Sequence, residues 1–88
     1  MDKPKLSQDQ FAVGQAEFNT GHVLNNDDSV FHTGDDINNA YTIFGSLTQA
    51  KEFGLDKVQN NPEIECYVYN LAGQTIFVCD KNGERKLT

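Results

Sequence analysis

The spacing of hydrophobic positions divides this chain into a helix and several strands. Between Leu47 and Asn60, the residues Leu47, Ala50, Phe53 or Gly54, and Val58 recur at helical intervals. They predict one helix with a single buried face. Leu55 lies off that stripe, and the polar Thr48, Lys51, Glu52 and Gln59 face outward. Ser46 is placed to cap the start, because its hydroxyl can accept from a free backbone N–H of the first turn. Gln49, three residues on, can return the bond. Asn60-Asn61-Pro62 should stop the helix, since Asn tolerates a left-handed cap and Pro cannot continue. Gly54 costs up to about 1 kcal/mol in mid-helix; a close approach to the sheet would be its return.

Around this helix the period drops to two. Ala40-Tyr41-Thr42-Ile43-Phe44 is rich in β-branched and aromatic residues and reads as a strand. Ile64 to Tyr69 alternates, with Ile64, Cys66 and Val68 on one face and Glu65, Tyr67 and Tyr69 on the other. A turn at Leu71-Ala72-Gly73 leads into a strand pattern from Gln74 to Cys79. If Ala72-Gly73 alone form the loop, Cys66 faces Cys79 and Val68 faces Phe77. If the loop is Leu71-Ala72-Gly73, Cys66 faces Val78 and Val68 faces Ile76. The second register is preferred, because Ile76 and Val78 then meet the helix. It leaves Tyr67, Tyr69 and Phe77 together, exposed or covered by the N-terminal segment. Asn82-Gly83 signals a hairpin, so Glu84-Arg85-Lys86-Leu87 should return as a charged edge strand.

The first half of the chain is less regular. Residues 1–9 are polar, with Leu6 the one aliphatic side chain after Met1, and are expected to fray or to be only partly ordered. Ser7-Gln8-Asp9-Gln10 could be a capping box opening a helix with Phe11, Gly14 and Phe18 on one face. The strand reading of 11–18 puts Phe11, Val13 and Gln15 on one face and Ala12, Gly14, Ala16 and Phe18 on the other. The strand is preferred, because the later strands need partners. From Asn19 to Asn39, turn clusters alternate with short apolar pieces at 22–24 and 30–33, which suits an antiparallel meander or a long ordered loop. No internal repeat or Pro-rich linker appears, so residues 1–88 form one domain of α+β class. Its expected architecture is a single helix packed on an antiparallel sheet of about four to six strands.

Charge narrows the function classes. Seven Lys and Arg against thirteen Asp and Glu give a net charge of −6. Nucleic acid needs a basic footprint to neutralise phosphates, so direct binding is not expected. The sign favours a protein partner with a basic surface, or serves solubility alone. No apolar run reaches the roughly 20 residues of a membrane span. With no secretion signal visible, a cytoplasmic setting is the default.

Candidate chemistry is sparse. Cys66 and Cys79 form neither a disulfide framework nor a CxxC pair. A cross-hairpin redox pair can be drawn from them, but a reduced, buried role suits cytosolic thiols better. His22 and His32 lie near Asp27, Asp28, Asp35 and Asp36, yet their spacing matches neither a helical His pair nor an EF-hand loop. There is no GxSxG, phosphate loop or HExxH. The expectation is therefore a non-enzymatic protein with no cofactor. What remains is a binding surface that combines the acidic Asp27, Asp28, Asp35 and Asp36 with aromatic anchors at Tyr67 and Tyr69. Two other classes stand beside it. One is a structural or regulatory module that homodimerises through a sheet edge or the tyrosine face. The other is a small-ligand or metal binder at residues 22–36.

The runs Thr33-Gly34-Asp35-Asp36, Tyr41-Thr42-Ile43-Phe44, Ala50-Lys51-Glu52-Phe53 and Asn61-Pro62-Glu63-Ile64-Glu65-Cys66 resemble small uncharacterised bacterial α+β proteins. Some of these look like immunity proteins of toxin systems. The resemblance covers about residues 30–80, and its motifs are caps, stops and core positions. It implies fold first. For function it implies toxin immunity, with no residue role carried over. The charge makes the expected target a basic bacterial toxin, and size and charge alone, without a motif match, extend it to a nucleic-acid enzyme.

Overall fold

The computed structural model describes residues 5–85. Along the chain come β1 (Phe11–Glu17), β2 (Val23–Leu24), a 3-10 turn (Ile37–Ala40), β3 (Tyr41–Phe44), α1 (Leu47–Asn60), β4 (Ile64–Tyr69), β5 (Thr75–Asp80) and β6 (Gly83–Arg85). Among the described residues, one helix packs against a six-stranded antiparallel sheet.

The sheet is organised on β1. One edge of β1 pairs with β4, which continues to β5 and β6. Two strands share the other edge: β3 pairs with Phe11–Gly14, and β2 with Gln15 and Ala16. Residues 25–40 therefore leave one half of that edge and return to the other. Val30 touches the sheet at one bridge to Leu24, so the apolar piece 30–33 is not a strand.

The Ser7–Gln10 motif is half of what its sequence suggests. Gln10 Oε1 accepts from the Ser7 N–H at 2.7 Å, the capping-box bond. No helix follows. Asp9 turns at a φ of 64° and β1 begins at Phe11. Leu6 packs against the side of the sheet away from α1. Residues 1–4 of the segment expected to fray lie outside the described residues, as do Lys86 and Leu87 of the expected return strand.

Helix α1 has the expected bounds. Ser46 Oγ accepts from the Gln49 N–H, and Ala50, Gly54 and Val58 are buried. A Cβ on Gly54 would lie 3.3 Å from Cys66 Cβ and 3.4 Å from Cys79 Sγ. The glycine thus lets the helix backbone settle on the sheet, which offsets its propensity cost. Lys51 departs from a purely outward position, since its ammonium sits 5.2 Å from the centre of the Phe77 ring. The C-terminus corrects the left-handed cap. Asn61 is extended, with φ −141° and ψ 96°. Pro62 is the reason, because the residue before a proline is pushed out of helical space. Asn61 instead uses its side-chain oxygen to accept from the Glu63 N–H.

The β4–β5 hairpin corrects the preferred register. Cys66 faces Cys79 and Val68 faces Phe77, whereas Tyr69 faces Thr75. Near the turn, Asn70 N–H donates to the Gln74 carbonyl, as a Leu71-Ala72-Gly73 loop requires. Both registers are therefore present, joined by a bulge at Ile76 that adds one residue to β5. Past the bulge, Phe77 and Cys79 turn toward the helix. Phe77 is 2% exposed and is not part of the tyrosine face.

Candidate functional site

On the face opposite α1, Ala12, Gly14 and Ala16 of β1 are small, so the tyrosines of β4 can lie over them. A Cβ on Gly14 would stand 2.5 Å from Tyr67 Cε2. Tyr67 and Tyr69 are half-buried, with ring centres 5.2 Å apart, and Tyr69 lies 5.8 Å from Tyr41. The Tyr67 hydroxyl donates to the Gln15 carbonyl at 3.5 Å. Burial pushes the phenols of Tyr41 and Tyr67 above the ordinary tyrosine range, so both stay neutral. Val23, Phe31 and Ile37 close over this cluster. The tyrosines thus pack beneath the turn-rich segment and do not stand free as anchors.

That segment is held by isolated backbone bonds, including Asn26 N–H to the Asn39 carbonyl and Phe31 N–H to the Val23 carbonyl, and by side chains, in place of a strand ladder. Gln15, 3% exposed, points its amide out of the sheet and donates to the Asn25 carbonyl and to Asp28 Oδ1, each at 2.6 Å. Asp28 adopts a φ of 69°, and its carboxylate also meets Lys57 and Asn61, each at 3.4 Å. It ties the loop to the end of α1. Asn26 donates to the Tyr41 carbonyl at 3.1 Å and so joins the loop to β3.

The other acids serve local turns. Asp27 accepts from the Ser29 backbone and hydroxyl. The Ser29 hydroxyl foremost, then its backbone N–H, holds the Asp27 carboxyl below the usual carboxylate range. Asp35 accepts from the His32 N–H at 2.8 Å, and Asp36 caps the 3-10 turn through the Asn38 N–H at 2.9 Å. Sequence reasoning grouped these four aspartates by sign. The structure gives Asp27, Asp35 and Asp36 separate turns, because a short carboxylate can accept from backbone N–H groups close by in the chain, whereas Asp28 reaches across to Gln15, Lys57 and Asn61. All four remain solvent-exposed.

Beside Asp35 the loop leaves an open groove of about 580 Å³. Val23, Val30, Phe31 and Ile37 supply its apolar lining, with His22 and Asp35 at the rim. Val30 is 39% exposed. Sequence reading missed the groove, because its residues come from pieces too short for periodicity to signal. Among the described residues, no group of three or more His, Cys, Asp or Glu side chains is placed to hold a metal ion. No described helix is long and apolar enough to cross a membrane.

A second polar site lies at the far edge. Asp80 is 7% exposed and accepts from Arg85 and from the Asn82 N–H, each at 2.8 Å. Arg85 also donates to Glu65 at 2.8 Å. The hydrogen bond from Arg85, then that from Asn82, holds the Asp80 carboxyl below the carboxylate range. This cluster pins β6 to β5 and β4.

Comparison with known proteins finds no matching family model, no matching curated protein and no matching solved structure.

Proposed function

We propose that this chain is a non-enzymatic binding protein that docks a basic protein partner on the 21–37 segment. The observation that carries this reading is the apolar groove at Val23, Val30, Phe31 and Ile37, lined also by the exposed Asp35, with the exposed Asp27, Asp28 and Asp36 elsewhere on the same segment. An apolar centre with a charged rim is the usual anatomy of a protein interface. The centre contributes affinity, and the rim contributes orientation and association rate. Asp27, Asp35 and Asp36 are already oriented by their own turns, so docking would order few side chains further. Tyr67 and Tyr69 act beneath the surface in this reading, as the floor that holds Phe31 and Ile37. The finer form is an immunity-type inhibitor acting in the cytoplasm, which occludes a basic toxin or nucleic-acid enzyme by charge and shape. The net charge of −6 and the resemblance over residues 30–80 support that form.

The local turns suggest a sharp test. Asp27→Asn, Asp35→Asn and Asp36→Asn together remove three charges but keep an acceptor oxygen for each turn. Val30→Gln makes the groove polar at an exposed position. The product of the neighbouring reading frame is assayed for toxicity with each form of the chain co-expressed, and binding of the purified pair is followed against salt. The triple variant should associate more slowly and with less salt dependence. Val30→Gln should raise the dissociation rate. Protection and binding unchanged in both variants would refute this surface.

A further inference from the structure

Cys66 and Cys79 sit directly opposite each other on β4 and β5, in a register fixed by the Ile76 bulge. Opposed residues of an antiparallel pair have Cα atoms roughly 4.5–5.5 Å apart, inside the roughly 4.4–6.8 Å that a disulfide spans. Both side chains lie on the face toward α1, with Cys66 1% and Cys79 0% exposed. Above them the helix carries Gly54, whose missing side chain would otherwise contact both cysteines.

We propose that Cys66 and Cys79 are a reversible disulfide site, oxidised by a low-molecular-weight disulfide such as oxidised glutathione. One cysteine thiolate attacks the reagent's S–S bond and releases one glutathione thiolate. The other cysteine, once deprotonated, attacks the resulting mixed disulfide at the protein sulfur and releases the second. The chain loses two electrons and two protons, and the reagent becomes two thiols. Burial means that attack runs through local opening of the sheet, so oxidation is slow while the product is stable. The bond would close the hairpin beneath the helix and make the rigidity of that face depend on redox state. This site is independent of the partner surface at 21–37.

The test approaches the product from both sides. The folded chain is incubated with oxidised glutathione, and free thiols and intact mass are followed. Separately, the chain is oxidised in urea and refolded. Both routes should give a monomer with no free thiol and no glutathione adduct. Its Tm should exceed that of the reduced chain by roughly 10 °C, and dithiothreitol should reverse the shift. Cys66→Ala and Cys79→Ala should each abolish the shift. A disulfide-bonded chain that melts at or below the reduced chain would overturn the proposal, whichever route made it. So would a stable glutathione adduct or an intermolecular dimer as the main product of the folded chain.

Discussion

On one face of the sheet, Ile64, Val68 and Phe77 meet a helix of 14 residues; on the other, Tyr67 and Tyr69 meet Phe31 and Ile37 from a loop. Strand β1 serves both faces, with Val13 toward the helix and Ala12 toward the loop. The helix satisfies its backbone internally beyond the Ser46 cap, and it meets the sheet through side chains and the bare backbone at Gly54. The loop joins its neighbours through isolated backbone bonds, such as Asn26 N–H to the Asn39 carbonyl and Phe31 N–H to the Val23 carbonyl, and through single side-chain bonds of Gln15, Asn26 and Asp28. A face closed by many apolar contacts resists deletion of any one polar group. A face closed by separate polar tethers can open locally when one is lost. Recognition by the loop face is therefore coupled to a few hydrogen bonds.

Truncating one aromatic on each face tests the contrast most strongly. Phe77→Ala empties a site in the helix-side core and should destabilise the chain by about 3–5 kcal/mol. In a domain of this size that leaves little folded protein. Phe31→Ala removes a half-buried ring from the loop face and should cost about 1–2 kcal/mol, since the site is partly open already. Urea denaturation measures both. Equal losses would show that the loop face is as tightly packed as the helix face.

The next effect is steric. Gly14→Ala drives a methyl group into the Tyr67 ring, with 2.9 Å to Cζ and 3.0 Å to Tyr41 Cε1. The rings must shift, at an expected cost of about 1–3 kcal/mol. Chemical shifts of Tyr67 and Tyr41 should move while those of Ala50 and Val58 do not. A change spread evenly over both faces would break the separation between them.

Legibility follows the same division. Helix α1 was readable because its cap, its stripe and Pro62 all agree. The face of Cys66 and Val68 was readable from alternation alone. The β5 register was not, since a turn signal fixes pairing only near the turn. The bulge at Ile76 answers to packing of Phe77 under the helix, a contact distant in sequence. The loop face was harder still. Asp27 and Asp28 are adjacent and chemically identical, yet one closes a two-residue turn and the other reaches Gln15 and Lys57. Only the positive φ of Asp28, set by the chain path, separates their roles. The groove lies further from the sequence again, because it is the space between tethered pieces.

Asp28 is therefore the tether to cut. Asp28→Ala leaves the buried Gln15 amide with one acceptor, the Asn25 carbonyl, and frees Lys57 and Asn61. Global stability should fall by about 1–2 kcal/mol. Hydrogen exchange should accelerate across residues 25–37 and stay unchanged in α1 and β4. Uniform acceleration would show that the loop opens only with the whole domain.

The smallest effect is expected where neither face is involved, at Asp80. Its carboxyl is held below the ordinary range by Arg85 and the Asn82 N–H. A carboxyl with a lowered folded pKa contributes stability that is complete above its unfolded value, about 3.9. The contribution falls as pH drops toward the folded pKa, because the unfolded chain takes up the proton first. Asp80→Asn removes that titration while keeping an acceptor for the Asn82 N–H, and Glu65 retains Arg85. At neutral pH the variant should lose about 1 kcal/mol. Below about pH 4 the wild-type advantage should shrink. Thermal melts at a series of pH values read this directly. An advantage that persists undiminished to the lowest pH would mean that the charge of Asp80 is not what pins β6. The edge strand would then rest on its backbone pairing with β5 and on the Arg85–Glu65 bond to β4.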